Sequence, residues 1–481
     1  MTRFPLAALA ALAVLISFGA EARKSRPPVS PHQDTVTVVT GYLLPIAAPG
    51  TLRSAWTQYG PDGVLEARAV VEGDACPQLV VDLRFTEMQR RSQKDSSFLL
   101  TCAAAIPKGT KLAALVLRPP VKAPPGPEAN PTAQQAWIDA LDEQKEVVPL
   151  PLPVPDPQRI VVFGDTGCRI KGSALQDCSD PAKWPFARIA AEAARLRPDL
   201  VIHVGDYLYR ESACPANFAG CAGTPFGDNW QTWDADFFAP AAPLLAAAPW
   251  VIVRGNHEDC NRAGPGWLRL LGPGPFDPAA PCIPHLSPYT VPLGTLNLVV
   301  MDTAAPPDTS VAQDQVPVLR NELAALADAR PPTWLVTHRP IWAAVEGPLG
   351  IPAGGNATVI AAAGKDGIPA PVELMLAGHI HTFEAINYAA RPHVPPQIVA
   401  GFGGDMLDET PANLRGTVFQ GDSGVSVADG LSIGGFGFLL MTKAGDDWSI
   451  DVHDWQGRIE RQCVFHAGRV DCPPPPRRSD R

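Results

Sequence analysis

The clearest pattern in this chain is a series of short apolar runs that are separated by polar loops and amphipathic segments. Five of these runs lie at residues 160–163, 200–204, 250–253, 334–336 and 374–377. Apolar runs of this length are typical of strands that are buried on both faces. Helix-forming residues fill segments between the runs, at 184–196 and 317–330. Strands that alternate with helices predict an α/β domain built from βαβ units. Later strands near 436–441 and 448–453 are expected at its edge.

A different pattern precedes this domain. Short strand-like segments, separated by Gly, Pro and Asp, lie at residues 35–40, 64–71, 78–85, 97–104 and 111–118. They predict a small all-β domain over residues 35–118. It carries no chemical motif, so we expect a structural or accessory role.

Proline marks the boundaries of the predicted domains. Residues 119–158 are rich in proline and predict a semi-rigid linker, interrupted by a helix at 133–143. The α/β domain is expected over 159–460. The proline- and arginine-rich residues 473–481 are expected to be disordered.

The first residues predict export. Arg3 precedes an apolar run at 4–18, and Ala20-Glu21-Ala22 offers a small-x-small cleavage site. This pattern indicates a signal peptide over residues 1–22 and a secreted or periplasmic protein. The alternative is an uncleaved anchor, although the run is short for a membrane span.

Charge and cysteine content narrow the protein class. The net charge of −10 argues against a general nucleic-acid-binding surface. An even number of cysteines behind a signal peptide favours disulfides, and no C-x-x-C spacing suggests a cysteine zinc site. Near-neighbour pairing is the expected pattern, although sequence alone leaves the pairing open. The neighbours are Cys76 and Cys102, Cys168 and Cys178, Cys214 and Cys221, Cys260 and Cys282, and Cys463 and Cys472.

All five apolar runs of the α/β domain end in residue types that bind metals. A lone Gly-Asp or a lone histidine after a strand is usually a turn or a structural residue. Five such ends together indicate a site at the carboxyl edge of a sheet. The motifs are Gly164-Asp165-Thr166-Gly167, Gly205-Asp206-Tyr207-Leu208-Tyr209, Gly255-Asn256-His257-Glu258, Thr337-His338 and Gly378-His379-Ile380-His381.

This order of motifs resembles the five-block signature of the calcineurin-like metallophosphoesterases, and within them the purple acid phosphatases. The usual first block ends in a ligating histidine, whereas this chain has Gly167 there. Purple acid phosphatases have the glycine and add a tyrosine three residues after the second aspartate, which matches Tyr209. The resemblance covers residues 159–400. Leu335 replaces the usual valine of the fourth block, a conservative change in a buried strand.

The resemblance implies an αββα sandwich with its ligands at the carboxyl ends of strands, preceded here by the small all-β domain. It also implies a dinuclear centre. Carboxylates and a phenolate favour ferric iron at the first metal position, and imidazoles with an amide suit zinc, manganese or ferrous iron at the second. The implied ligands are Asp165, Tyr209 and His381 for the first metal, Asn256, His338 and His379 for the second, and Asp206 as the bridge.

The function implied is hydrolysis of phosphate monoesters by attack of a metal-bound hydroxide on phosphorus. His257 is predicted to protonate the leaving oxygen, with Glu258 orienting it; the alternative is that His257 only orients the site. Competing functions are a phosphodiesterase acting on cyclic nucleotides, phospholipids or nucleotide sugars, and a non-catalytic phosphate- or metal-binding protein. The complete ligand set argues against the last.

The remaining expectations concern partners and other polar residues. The expected partner is a small phosphate ester, with no nucleic acid and no membrane after signal cleavage, and the oligomeric state stays open. His203 is expected in the core or behind the ligands. Four arginines beside the motifs are candidates for phosphate contact or for the surface: Arg169, Arg210, Arg254 and Arg339.

Overall fold

A computed structural model describes residues 51–117, 126, 128–143, 147–389, 394–419 and 424–474. The predicted signal peptide, the predicted strand at 35–40 and most of the C-terminal tail lie outside these residues. The chain forms two compact units, one running up to Thr57 and over Leu65–Leu152, the other made of Gln58–Val64 and the chain from Pro153 onward. In the described part, no helix has the length and apolar character needed to cross a membrane.

The first unit is β-rich and contains one helix. Its strands are β1 Leu52–Tyr59, β2 Leu65–Val71, β3 Gln78–Val81, β4 Arg84–Glu87, β5 Gln89–Ser92, β6 Leu100–Ile106, β7 Ala113–Val116 and β8 Val147–Pro149. One sheet has the order β1-β2-β6-β5 and another the order β4-β3-β7-β8. The helix α1, Pro131–Glu143, packs Trp137 edge-on against Phe85.

One segment of the predicted linker belongs to this unit. Val148 pairs with Leu115, so β8 extends the second of these sheets. Proline at the end of an edge strand is compatible with such pairing because a missing N–H there costs no ladder bond. The proline content therefore suggested a linker where the chain in fact adds an edge strand.

The second unit contains the remaining elements. Its strands are β9 Arg159–Phe163, β10 Ile170–Lys171, β11 Ala174–Leu175, β12 Leu200–His203, β13 Trp250–Ile252, β14 Tyr289–Leu293, β15 Leu296–Val300, β16 Thr333–Val336, β17 Ala353–Gly354, β18 Val372–Ala377, β19 Phe383–Tyr388, β20 Gln397–Ala400, β21 Val418–Phe419, β22 Val427–Ile433, β23 Gly437–Ala444, β24 Asp447–Asp454, β25 Ile459–His466 and β26 Arg469–Asp471. Its helices are α2 Phe186–Arg195, α3 Trp230–Trp233, α4 Ala239–Leu245, α5 Gly264–Leu270, α6 Val316–Ala325 and α7 Ala357–Ala363, with short 3-10 turns that include Asn256–Glu258.

Two mixed sheets form the centre of this unit. The first has the order β26-β25-β24-β23-β9-β12-β13 and the second the order β14-β15-β16-β18-β20-β19-β22. Trp334 of the second sheet lies edge-on to Trp448 of the first, with ring centroids 5.0 Å apart. Apolar faces of the two sheets therefore pack against each other. The first sheet also continues past the predicted domain end at residue 460, through β25 and β26.

Helices cover the outer faces. Phe186 of α2 packs on Phe163 of β9, with ring centroids 5.9 Å apart. On the other side, α6 and α7 share a buried cluster with strands of the second sheet, where Leu319 and Ile360 join Leu335. The resulting order is helix, sheet, sheet, helix, which confirms the predicted α/β sandwich preceded by a β-rich region.

The parallel strands bring the sequence motifs to one edge. β12 pairs in parallel with both β9 and β13, and β16 pairs in parallel with β18. The carboxyl ends of neighbouring parallel strands lie side by side. Residues that follow these strands therefore meet at the same edge of the sandwich.

All five near-neighbour cysteine pairs form disulfides, which confirms the predicted pairing. The bonds join Cys76–Cys102, Cys168–Cys178, Cys214–Cys221, Cys260–Cys282 and Cys463–Cys472. The second, third and fourth of them close loops that begin directly after motif strands. Each disulfide can contribute about 2–4 kcal/mol to stability, mainly by restricting the unfolded chain.

Candidate metal centre

Both aspartates of the first two motifs sit in tight turns. Asp165 and Asp206 each have a φ of 59°, a backbone conformation that is uncommon outside glycine. His379 shares it, with a φ of 72°. Such backbone conformations are held in place only by strong surrounding contacts, and they concentrate at functional sites.

Close packing requires glycine at two positions within the motifs. A Cβ on Gly255 would lie 2.0 Å from Asp206 Oδ1. A Cβ on Gly167 would lie 2.7 Å from the carbonyl oxygen of Tyr207 and 2.8 Å from the amide nitrogen of Tyr209. The position where related sequences carry a histidine is thus filled here by the backbone that delivers Tyr209.

Four of the predicted ligands surround one point. The Tyr209 hydroxyl oxygen lies 3.1 Å from Asp165 Oδ1, 2.9 Å from Asp206 Oδ2 and 3.1 Å from His381 Nε2. All four side chains are buried. These are the residues expected at the first metal position, together with the expected bridge.

The other predicted ligands converge on the opposite side of Asp206. His338 Nε2 lies 2.9 Å from Asn256 Oδ1 and 3.3 Å from Asp206 Oδ2. Asp206, His338 and His379 each offer a ligand atom, and these three atoms lie within 4.8 Å of one another. Asp206 therefore belongs to both groups, which is the geometry expected of a bridging carboxylate.

The imidazoles are oriented by contacts on their far nitrogens. His338 Nδ1 lies 2.9 Å from the carbonyl oxygen of Val204, and His381 Nδ1 lies 2.6 Å from that of Met406. A carbonyl can only accept, so each Nδ1 donates its proton and Nε2 faces the site. Contacts of this kind are what fix the tautomer of metal-binding histidines.

In His379 the two ring nitrogens exchange these roles. Its Nε2 lies 2.9 Å from Asp308 Oδ2, and its buried Nδ1 has no hydrogen-bond partner among the described residues. A buried polar atom without a partner is costly unless something else binds it. Together with the convergence of the predicted ligands, this nitrogen indicates that the residues present fit a bound metal.

The pKa shifts of the predicted ligands also fit a site that binds cations. Burial disfavours the charged form of His381, but Asp405 and Asp165 outweigh it and raise its pKa to about 10. Burial also disfavours the charged form of His338, but the charge of Asp206 outweighs burial and raises the pKa of His338 to about 9. Burial, followed by the charges of Asp206 and Asp165, raises the pKa of Tyr209 well above its ordinary value. Without metal the centre retains protons, and bound cations would displace them.

His257 lies at the mouth of the centre. Its backbone N–H donates to Asp206 Oδ1 at 2.8 Å, and its Nε2 lies 3.8 Å from Asp206 Oδ2. Its ring packs on Tyr209 with centroids 3.8 Å apart. Its Nδ1 lies 2.8 Å from Glu211 Oε1. Burial, only partly opposed by Asp206 and Glu211, lowers the pKa of His257 to about 4.

The expectation that Glu258 orients His257 is wrong. The Glu258 carboxylate instead accepts the backbone N–H groups of Tyr207, Leu208 and Gly255, at 2.9, 3.1 and 3.1 Å. It therefore holds the turn that carries Asp206. Glu211 is the carboxylate beside the imidazole, and no sequence signal distinguished it.

Other supporting carboxylates also come from remote loops. Asp236 accepts the backbone N–H groups of Tyr209 and Arg210 and pairs with the Arg210 side chain. Asp405 pairs with Arg169 and lies 3.4 Å from His381 Nδ1. Asp308, which holds His379, follows no motif. Sequence reasoning missed all three because their partners lie far away along the chain.

His203 and Arg254 make structural contacts. His203 is fully buried and stacks on Tyr207, with ring centroids 4.0 Å apart. The Tyr207 hydroxyl donates to the carbonyl oxygen of Val253, away from the metal ligands. Arg254 is buried against Asp302, so its charge is already paired.

A pocket of about 520 Å³ opens over the centre. Its lining includes the ligands Asp206, Asn256, His379 and His381 and the adjacent His257. Residues of the 340–355 loop form another part of the wall. The cavity has room for a small molecule directly above the predicted ligands.

Comparisons with known proteins give one family model and several similar folds. Residues 158–383 match the family model described as calcineurin-like phosphoesterase. A purple acid phosphatase from yellow lupin (Lupinus luteus) seeds aligns with a TM-score of 0.51 and 14% identity, over 85% of this chain and 73% of that one. A structure titled PhoD aligns with a TM-score of 0.47 and 10% identity, over 87% and 91% of the two chains. A search of curated proteins found no match.

The family match and the fold together define a class of protein. Residues 158–383 resemble a calcineurin-like phosphoesterase domain, which supports a phosphoric ester hydrolase. The resemblance to purple acid phosphatases extends to the fold of most of the chain.

Proposed function

We propose that this chain is a secreted phosphatase that hydrolyses phosphate monoesters at a dinuclear metal centre. The observation that carries the proposal is the position of Asp206. Its carboxylate lies 2.9 Å from Tyr209 in one ligand group and 3.3 Å from His338 in the other. Two metal sites that share one carboxylate are suited to clamping a phosphoryl group.

The ligand types define the metals that we propose. Asp165, Tyr209 and His381 would hold a ferric ion, because a phenolate and carboxylates favour hard, highly charged cations. Asn256, His338 and His379 would hold zinc, manganese or ferrous iron. When bound, the two ions would supply Lewis acidity toward the phosphoryl oxygens and lower the pKa of the attacking water.

The protein residues would position and protonate the substrate. His257 lines the pocket beside Asp206. Burial lowers its pKa to about 4, so its imidazole would be protonated, and able to donate a proton to the leaving oxygen, in acid. Its ring is held between Tyr209 and Glu211. Glu211 is itself paired with Arg262, which fixes the carboxylate that orients His257.

Export is part of the proposal. All ten cysteines form disulfides, and disulfides persist in oxidising compartments. This supports the interpretation of residues 1–22 as a signal peptide.

The proposed activity is tested by assaying the purified protein, reconstituted with iron and zinc, on p-nitrophenyl phosphate and on bis(p-nitrophenyl) phosphate. We expect faster turnover of the monoester. A preference for the diester would replace the phosphatase by a phosphodiesterase. No turnover of either ester, with two metals bound, would indicate a non-catalytic phosphate- or metal-binding protein.

A further prediction concerns the iron ligand. A phenolate bound to ferric iron gives a visible charge-transfer band, so the oxidised, iron-loaded protein should be coloured. Tyr209→Phe should remove the band, because Tyr209 is the phenol among the ligands. Absorption spectra of the two proteins at equal iron content make the comparison.

Tyr207→Phe is the matched control. Its hydroxyl donates to Val253 instead of facing the ligands, so the band should persist. Loss of this buried hydrogen bond should cost about 1 kcal/mol of stability. A colourless but fully active iron-loaded protein would contradict the assignment of Tyr209 as an iron ligand.

A further inference from the structure

Arg169 stands out among the residues around the metal centre. It follows the first motif directly and lines the same pocket as Asp206, Asn256 and His257. It is the only lysine or arginine among the described residues of the lining. The other charged groups that line the pocket away from the ligands are carboxylates, those of Asp308, Glu346 and Asp408. Arg169 is therefore the guanidinium that an anionic substrate in this pocket would contact first, while Arg339 lies behind the lining and is paired with Asp308.

The guanidinium is held in one orientation. Arg169 Nε lies 3.0 Å from Asp405 Oδ2, and its Nη2 pairs with the same carboxylate. The guanidinium carbon lies 5.0 Å from the centre of the Tyr209 ring. Asp405 is fully buried, so this ion pair is shielded from solvent on one side. A clamped guanidinium loses little entropy when it binds a further partner.

The backbone of Arg169 is fixed as well. Its N–H donates to Gln176 Oε1 at 3.0 Å, and its carbonyl accepts the N–H of Gln176 at 2.9 Å. The neighbouring Cys168 is joined to Cys178. The arginine is thus attached to a rigid loop, and the side chain stays partly exposed, at 22%.

Its donors are not used up by Asp405. A guanidinium carries five N–H donors in a planar fork. Nε and Nη2 face Asp405, and Nη1 has no hydrogen-bond partner among the described residues, so it is the donor left for a ligand in the pocket. Phosphoryl oxygens are a preferred acceptor for this geometry.

Phosphate monoesters and diesters differ in the feature that such a donor would detect. A monoester has three terminal oxygens and two negative charges when fully ionised, whereas a diester has two terminal oxygens and one charge. Two bound metals would supply positive charge to the two oxygens that both kinds of ester share. A third oxygen, with its extra charge, is present only in the monoester.

We propose that Arg169 binds the terminal phosphoryl oxygen that only monoesters carry, and that it thereby makes this site prefer monoesters over diesters. The inference rests on the proposed phosphatase function. It assigns the substrate preference to one side chain outside the metal ligands. It also assigns a role to the ion pair between Arg169 and Asp405, which is to orient the guanidinium toward the pocket.

The test compares Arg169→Lys with the wild-type protein, both reconstituted with metals. Lysine keeps the charge beside Asp405 but lacks the second arm of the fork. We expect kcat/KM on p-nitrophenyl phosphate to fall about 10- to 100-fold, the usual effect of losing a hydrogen bond to a charged group. On bis(p-nitrophenyl) phosphate, which has the same leaving group, it should change less than about threefold.

Controls separate this role from a structural one. Arg188→Lys changes an exposed arginine that pairs with Glu192 on α2, and it should leave both values unchanged. Metal content and melting temperature are measured for each variant. If Arg169→Lys loses metal, Arg169→Gln replaces it, because the glutamine amide can still donate to Asp405 and the Asp405 carboxylate stays in place beside His381.

The outcomes decide the proposal. A fall of at least about threefold in the ratio of monoester to diester kcat/KM supports it. A smaller change in this ratio, with equal losses on the two esters or no loss on either, overturns it. Binding of inorganic phosphate, measured by calorimetry, remains decisive if the wild-type protein hydrolyses neither ester. Absence of turnover on both esters would overturn the phosphatase proposal. An unchanged affinity of the Arg169 variant for inorganic phosphate would separately overturn the role of Arg169.

Discussion

Asp206→Ala is expected to lose metal and activity together, with kcat/KM falling on the order of 10³-fold or more. The carboxylate lies 2.9 Å from the Tyr209 hydroxyl and 3.3 Å from His338 Nε2, so it is the one side chain shared by the two ligand groups. Its loss weakens both metal positions at once. It also removes the acceptor of the His257 N–H. Metal analysis and steady-state kinetics on p-nitrophenyl phosphate measure the effect.

The fold should survive this substitution. The turn that carries Asp206 is held independently, since Glu258 accepts the N–H groups of Tyr207 and Leu208. Asp228→Ala is the matched control, because Asp228 accepts from Trp233 Nε1 and the N–H of Gly266 and contacts no ligand. It should lower stability and keep both metals. Near-normal turnover of Asp206→Ala would show that the metal centre is misplaced.

His257→Ala is expected to lower kcat/KM about 10²- to 10⁴-fold on alkyl phosphates and far less on p-nitrophenyl phosphate. A general acid matters most when the leaving oxygen needs a proton. The p-nitrophenolate ion leaves without one. A plot of log kcat/KM against the pKa of the leaving alcohol, for both proteins, measures the difference as a change of slope.

His285→Ala provides a control in the same unit. His285 Nε2 lies 2.7 Å from Glu322 and has no place in the pocket lining. It should leave the slope unchanged. If His257→Ala lowers activity equally on all leaving groups, the imidazole only positions the substrate.

Sequence reasoning predicted that the seven candidate ligands would lie close together, because each follows a short apolar strand. The carboxyl ends of neighbouring parallel strands lie at the same edge of a sheet, so motifs that follow such strands lie close together. The disulfides were predictable for a similar reason, since each joins cysteines close in the sequence. The roles of the ligands nevertheless stay predictions until metals are measured.

The supporting residues could not be predicted in this way. Glu258 adjoins His257 in the sequence, and adjacency suggested that it orients this histidine. The Asn256–Glu258 turn instead directs its carboxylate to the backbone amides of residues 207 and 208. Glu211 contacts His257 only because a separate loop returns to it. Neither contact has a spacing rule.

The sequence by itself determined the alternation of strands and helices, the ligand types and the local disulfides, because these depend on residues that are near one another along the chain. Only the tertiary structure decided which carboxylate faces which imidazole, that Arg254 is buried while Arg169 lines the pocket, and that residues 147–149 form an edge strand. The physical reason is that these outcomes depend on which polar groups become buried together. A buried charge must find a partner, and the partner that it finds is fixed by the packing of remote loops.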